Sequence, residues 1–245
     1  MRIELGLFLL ALSVALLSML VFWVTVGGRS VRTDEVARRG SFVLGNWVRE
    51  WFYWSARPVE RAIVRIGLAP EVFNAIGLAI GIASGVAYGL GHVPLGGALL
   101  LLSGITDAFD GLVARARNVV SEAGAFLDST LDRFTELAVF VGLILLYEST
   151  WSLVIVTVAL GGSLLVSYTR ARGESLGVTC KLGVMQRAER LLLLGFGSIL
   201  DPTLSTWVGQ QPGFVLFIIL VVIAIGSLGT AIFRTLWIWR RLAER

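Results

Sequence analysis

Four aspartates lie close together in a chain that is otherwise strongly apolar: Asp107, Asp110, Asp128 and Asp132. Clustered carboxylates repel one another and need cations to stay ionised. Hard divalent ions such as Mg²⁺ or Mn²⁺ prefer oxygen ligands. Two such ions about 4 Å apart can clamp a phosphate group during displacement at phosphorus. The aspartates therefore predict metal-dependent phosphoryl chemistry.

Their spacing places the acids on two helices. Asp107 and Asp110 are three residues apart, and Asp128 and Asp132 are four apart, so each pair shares one helix face. The segment ARNVVSEAG between the pairs predicts a turn. A helical hairpin would then aim all four carboxylates into one cleft.

The residues around the acids suit a phosphate ligand. Gly111, Ala114, Gly124 and Ala125 leave room for a ligand against the backbone, and Arg115 offers a cation for a phosphate oxygen. The structural alternative is that an intramembrane Asp makes a satisfied polar contact and that the small residues serve helix packing. Four acids on two facing helices favour function, because unpaired carboxylates in a membrane are costly.

The composition predicts an all-α integral membrane protein. Of the 245 residues, 56% are hydrophobic and only 16% are charged. A spanning helix needs about 20 mostly apolar residues. The apolar runs predict seven spans, at residues 5–26, 72–90, 95–115, 124–147, 151–170, 183–200 and 214–239. One Cys and one His exclude an intrachain disulfide and a Cys- or His-rich zinc site, so a metal would need oxygen ligands.

These runs divide the chain into three parts. Residues 1–30 predict an extra N-terminal transmembrane helix, residues 31–68 an amphipathic segment, and residues 69–245 a six-helix catalytic membrane domain. The middle part mixes arginines with aromatics, which is typical of a helix in the headgroup layer. We expect Pro58 to divide it into two helices or to start the second.

The basic residues predict the orientation. The loops at 91–94, 148–150 and 201–212 contain no Lys or Arg, whereas the opposite ends of the spans are rich in arginine. By the positive-inside rule the arginine-rich side is cytoplasmic. This places the C-terminus and the acidic cleft on the cytoplasmic side of the cytoplasmic membrane. It also accounts for the net charge of +4 without nucleic-acid binding.

The pattern Asp107-x2-Asp110-Gly111-x2-Ala114-Arg115-x8-Gly124-x3-Asp128-x3-Asp132 resembles the signature of the CDP-alcohol phosphotransferase family at every fixed position. The resemblance implies transfer of a phosphatidyl group from a CDP-diacylglycerol-like lipid to an alcohol, with release of CMP. It implies two Mg²⁺ or Mn²⁺ ions held by the four aspartates. It also implies a homodimer.

The resemblance further implies roles for single residues. Asp132 would be the general base and would act with Asp128 at the catalytic centre. The CDP pocket would be lined by Gly111, Ala114, Arg115 and Gly124. Pro70 and Asn74 are similar to the Pro-Asn pair that starts the first core span of the family, with three residues between them here. Attack would be direct, at the β-phosphorus.

The acceptor is predicted from a second cluster, of arginines: Arg170, Arg172, Arg187 and Arg190. Forked guanidinium groups suit a phosphate dianion, although positive-inside topology alone also places arginines here. The pattern around them resembles the branch of the family that uses inositol phosphate and makes phosphatidylinositol phosphate or its archaeal ether-lipid equivalent. Glycerol 3-phosphate or another alcohol is the alternative acceptor.

Two other functions are weaker alternatives. An intramembrane prenyltransferase also holds a diphosphate through Mg²⁺, but it usually has two aspartate-rich motifs, and this sequence contains one. A divalent-cation transporter would need polar residues along the extracytoplasmic halves of the spans, and those halves are apolar.

Overall fold

The computed structural model describes residues 3–26 and 45–245, which form eight α-helices and contain no β-strand. The helices are α1 (Ile3–Val26), α2 (Gly45–Ile66), α3 (Pro70–Gly89), α4 (Val93–Ala116), α5 (Glu122–Leu146), α6 (Thr150–Ser175), α7 (Arg187–Trp207) and α8 (Phe214–Ala243). The predicted all-α class is confirmed. The chain divides into two compact units, of which the first ends at Leu68 and the second begins at Ala69.

In the first unit, α2 packs against α1. The Trp51 indole Nε1 donates to Ser18 Oγ at 3.0 Å, and the Phe22 ring lies 5.8 Å from the Trp47 ring and 5.6 Å from the Trp54 ring. The predicted break at Pro58 is wrong, because α2 runs through it as one helix. The proline costs the helix one backbone hydrogen bond, and the helix continues on both sides. Residues 27–44 of the predicted N-terminal parts lie outside the described residues.

In the second unit, local signals start the helices that carry the acids. Pro70 begins α3 after the extended Ala69, as expected for proline at a first helical position. Gly91, at φ 79°, reverses the chain before α4. Ser121 caps α5, since its Oγ accepts the backbone N–H of Gly124 at 3.0 Å.

Glycines allow the helices of this unit to touch through their backbones. A Cβ added at Gly142 on α5 would collide with the backbone carbonyl of Gly85 on α3. A Cβ at Gly97 on α4 would meet the carbonyl oxygen of Gly195 on α7 at 2.5 Å. Small residues therefore set the close approach of α5 to α3 and of α7 to α4, as is common between membrane helices.

Helix α7 differs from the predicted span at both ends. It begins at Arg187, because residues 178–186 are held against α8 instead: Met185 N–H donates to Thr230 Oγ1 at 3.2 Å. It continues through Pro202 to Trp207, beyond the expected end at residue 200. The buried Asp201 carboxylate holds the following reversal by accepting the Gly213 N–H at 2.6 Å and the Leu216 N–H at 2.9 Å.

Within the part of the chain that the structure describes, four helices are long and apolar enough to cross a membrane: α3, α4, α6 and α8. In the described part of the N-terminal helix, Leu12–Val26 is a shorter apolar stretch. Helices α5 and α7 also coincide with predicted spans, but they carry the charged residues of the cleft described below. All six core helices that the sequence predicts are present.

Candidate active site

The four aspartates lie at the end where α4 stops and α5 starts. Asp107 and Asp110 are in the last turns of α4, and Asp128 and Asp132 are in the first turns of α5. The turn between the helices includes Asn118 in a left-handed conformation, at φ 55°. Helix α3 packs against both α4 and α5 and therefore supports the two helices that carry the acids.

Three of the four carboxylates form one cluster. Asp107, Asp128 and Asp132 each offer an oxygen, and these oxygens lie within 4.8 Å of one another. Such a group of oxygen donors from two helices matches the preference of Mg²⁺ and Mn²⁺. The residues present therefore fit a hard divalent cation.

Asp110 lies one turn further along α4 and is buried. Its carboxylate accepts the backbone N–H of Gly111, and the side-chain amide of Asn74 on α3 is a second partner. Asn74 is itself buried, and it lines a cavity with Asp107 and Asp132. Asn74, which the family resemblance pointed to, thus lies at the acidic cleft.

Arg187 enters the acidic cluster from α7. Its Nη1 lies 2.6 Å from Asp107 Oδ2, and its Nη2 pairs with Asp132 Oδ1. One guanidinium therefore joins the acids of α4 and α5 and partly neutralises their repulsion. Arg187 was predicted to bind an acceptor phosphate, and in the structure it contacts two of the carboxylates that could hold a metal.

A second ionic group lies one helical turn further along α5, and sequence reasoning missed its centre, Glu136. The Glu136 carboxylate accepts Nη2 of Arg190 at 2.8 Å and Nη1 of Arg133 at 2.8 Å. Arg133 also approaches Asp132, at 3.5 Å, and Ser167 of α6. The available signal was the spacing, because Glu136 follows Asp132 by four residues and shares its helix face.

A cavity joins the two groups. It encloses about 420 Å³ with its open mouth included, and its polar wall is formed by Asp132, Thr135, Glu136, Arg187 and Arg190. A neighbouring cavity of about 220 Å³ shares Asp132, Thr135 and Arg187. Asp132 and two of the four predicted acceptor arginines, Arg187 and Arg190, therefore face the same space.

The residues expected around CDP surround the turn between α4 and α5. The Arg115 guanidinium lies over Gly111, so that a Cβ at Gly111 would be 3.0 Å from Arg115 Nη1. Ala114 lies between Gly111 and Arg115 in the sequence and is partly buried. Gly124 belongs to the first turn of α5, where its N–H donates to the capping Ser121. A side chain at position 111 would push the Arg115 guanidinium away by at least a few tenths of an ångström.

Arg170 and Arg172 line neither of these two cavities. Both are exposed near the end of α6, and Arg170 Nε pairs with Glu174 at 2.9 Å on the same helix. The structure therefore brings Arg187 and Arg190 to the acidic cavity and leaves this pair at the surface.

Comparison with known proteins identifies the class that this fold and site define. The sequence model of the CDP-alcohol phosphatidyltransferase family matches residues 67–243. The archaetidylinositol phosphate synthase of Methanothermobacter thermautotrophicus is 36% identical over 193 residues, which cover 76% of this chain and 93% of the relative. The chain belongs to the CDP-alcohol phosphatidyltransferase family, and the predicted membership is confirmed.

Solved structures of the phosphatidylinositol phosphate synthase of Mycobacterium tuberculosis are also similar. The structure with CDP-DAG bound gives a TM-score of 0.65 at 27% identity, covering 74% of this chain and 92% of that one. The complex with manganese and citrate gives a TM-score of 0.66 at the same identity, covering 74% of this chain and 88% of that one. The protein is thus an integral membrane transferase of a metal-dependent family, which decides against a prenyltransferase or a transporter.

Proposed function

We propose that this protein transfers the phosphatidyl group of a CDP-diacylglycerol-type lipid to inositol phosphate and releases CMP. The observation that carries the proposal is that Arg187 and Arg190 line the same cavity as Asp132. A phosphorylated acceptor needs cations for its own phosphate close to the base that takes its proton, whereas an uncharged or zwitterionic alcohol does not. The names of the similar synthases point to the same acceptor.

Asp107, Asp128 and Asp132 would hold Mg²⁺ or Mn²⁺, with Asp110 as the fourth ligand of a two-ion site. The three clustered carboxylates support this assignment. When bound, the ions would neutralise the diphosphate and stabilise the negative charge that develops on the CMP leaving group.

Asp132 would act as the general base on the acceptor. Its carboxylate takes the proton of the attacking hydroxyl while that oxygen forms a bond to the β-phosphorus. The bond from the β-phosphorus to the bridging oxygen breaks, and the electron pair leaves with CMP. Arg187 lies against Asp132 and orients its carboxylate towards the cavity. One direct displacement needs no covalent enzyme intermediate.

The CDP moiety would lie over the turn between α4 and α5. Gly111, Ala114 and Gly124 carry little or no side chain there, and Arg115, whose guanidinium lies over Gly111, would bind a phosphate oxygen of the nucleotide. Arginine is suited to this role because its fork of N–H groups matches phosphate oxygens.

For the acceptor phosphate we propose Arg187 and Arg190 as ligands inside the cavity. Arg170 and Arg172 would contribute from the exposed end of α6, where their positive charge attracts an anion arriving from water. Glycerol 3-phosphate carries the same phosphate group and is the alternative acceptor. The active site would face the cytoplasm, where phosphorylated polyols are found. The protein would be a homodimer.

A panel of acceptors tests this proposal. Purified protein in detergent with Mn²⁺ and CDP-diacylglycerol is given inositol phosphate, glycerol 3-phosphate, serine, inositol or no acceptor, and CMP release is followed. We expect release with inositol phosphate and far less with free inositol. Faster release with glycerol 3-phosphate would reassign the acceptor. Equal release with phosphorylated and unphosphorylated alcohols would refute the role of the arginines.

A further inference from the structure

We propose that Glu136 is a positioning residue that orients Arg190 to receive the phosphate of the acceptor and ties it to Arg133. This inference rests on the proposed function. Glu136 lines the cavity together with Asp132, the proposed base, and with Arg190, and its side chain is only 12% exposed. Its place on α5 puts Glu136, which holds Arg190, one helical turn from the carboxylate that takes the acceptor proton.

The two oxygens of Glu136 serve two arginines from different elements. Oε1 accepts Nε of Arg190 at 3.2 Å and Nη2 at 2.8 Å, and Oε2 accepts Nη1 of Arg133 at 2.8 Å. Hydrogen bonds between ionised partners are stronger than neutral ones. Since Arg190 bonds through two of its nitrogens, the plane of its guanidinium is fixed and not only its position.

Each arginine has a further anchor on another element. Arg190 is 4% exposed and donates from Nη1 to the Met185 carbonyl at 3.1 Å, in the segment before α7. Arg133 donates to Ser167 Oγ on α6. The charged group is therefore held between α5, α6 and α7 before any ligand binds. Groups fixed in this way lose little conformational entropy on binding.

The pairing of this group differs from that of Arg187. Glu136 holds two guanidinium groups, and one of them, Arg133, also lies 3.5 Å from Asp132. Arg187 instead pairs with two carboxylates, Asp107 and Asp132. The two acids and two arginines at the cavity wall balance in formal charge. The role of Glu136 is therefore to keep Arg190 ordered at the cavity before a phosphate binds.

Kinetics of Glu136→Gln test the inference. Glutamine keeps the shape but removes the charge, so that the arginines lose their fixed orientation. We expect the KM for inositol phosphate to rise about tenfold, the equivalent of losing one oriented hydrogen bond, and the KM for CDP-diacylglycerol and the melting temperature to stay near wild type. The matched control is Glu148→Gln, at an exposed position between α5 and α6 that lines neither cavity, and it should leave the KM for inositol phosphate within a few-fold of wild type.

Other outcomes separate the possibilities. An unchanged KM for inositol phosphate in Glu136→Gln would overturn the inference. So would equal rises in both KM values with a lower melting temperature, which indicate a structural role. If Glu136→Gln does not fold, Glu136→Asp keeps the charge but draws the carboxylate back from both arginines, and the same selective rise is expected; its absence would overturn the inference. A wild-type protein that forms no product from inositol phosphate would instead refute the proposed function itself.

Discussion

Replacing Arg187 by glutamine should make the protein bind Mn²⁺ more tightly. The guanidinium contacts two of the three clustered carboxylates, Asp107 and Asp132, and therefore occupies oxygens and neutralises charge that a divalent cation would use. A cation that binds these acids must either compete with Arg187 for the oxygens or bind beside its positive charge. Glutamine removes the charge and keeps most of the length of the side chain.

The size of the effect follows from these contacts. A hydrogen bond to a charged group contributes about 1.5–3 kcal/mol, and Arg187 makes one to each of two carboxylates. The Arg187 side chain is 30% exposed, so that water can replace part of the hydrogen bonding that Arg187 loses when a metal binds the carboxylates. Taking half of the sum gives roughly 1.5–3 kcal/mol, or about a tenfold to hundredfold gain in Mn²⁺ affinity.

The assay needs no turnover. Protein in detergent is stripped with a chelator, and free Mn²⁺ is followed by electron paramagnetic resonance during titration at neutral pH. Arg170→Gln is the control, because Arg170 pairs with Glu174 at the surface. It removes the same charge but no contact with the acidic cluster. Its Mn²⁺ affinity should stay within about threefold of wild type, since exposed pairs are screened by solvent.

Weaker or unchanged Mn²⁺ binding in Arg187→Gln would refute the reasoning. It would mean that Arg187 supports the arrangement of the acids more than it opposes the cation. A similar gain in Arg170→Gln would also refute it, because a general effect of net charge would then explain both.

Two further predictions concern the scaffold, and thermal unfolding in detergent measures both. Gly142→Ala should destabilise the protein by about 1–3 kcal/mol, because its Cβ on α5 would meet the Gly85 carbonyl on α3. Gly161→Ala is the control and should be tolerated, because the space around its Cβ is open. An equal loss of stability in both variants would contradict the packing account. Asp201→Ala should destabilise the protein by about 2–4 kcal/mol, because it leaves the N–H groups of Gly213 and Leu216 without their acceptor. Asp201→Asn keeps one acceptor oxygen and should destabilise it less. Equal stability of wild type and both variants would contradict the capping role.

The meeting of three of the four aspartates could be predicted from the sequence because the information is local. The offsets of three and four residues between the aspartates fix a helix face, and the turn residues between them fix a hairpin. Asp107, Asp128 and Asp132 accordingly meet in one cluster. The six core helices were equally predictable, since each needs an apolar run of fixed length.

The acceptor side was less predictable because its contacts join distant parts of the chain. Arg187 meets Asp107 across 80 positions of sequence, and Arg190 meets Glu136 across 54. Neither pairing follows from spacing on one helix. Arg170 looked equivalent to Arg190 as an arginine at a helix end, yet one is exposed and the other is buried. The end of α7 was missed for a similar reason, since Asp201 bonds to residues beyond the next turn.

The central claim is most directly tested by the mass of the lipid product. Wild type and Asp132→Asn are incubated in vesicles with CDP-diacylglycerol, inositol phosphate and Mn²⁺, with and without excess chelator, and the lipids are analysed by mass spectrometry. We predict phosphatidylinositol phosphate from wild type with Mn²⁺ only, and none from a folded Asp132→Asn. Product that forms equally in the variant or in the presence of chelator would contradict the account of the aspartate cluster.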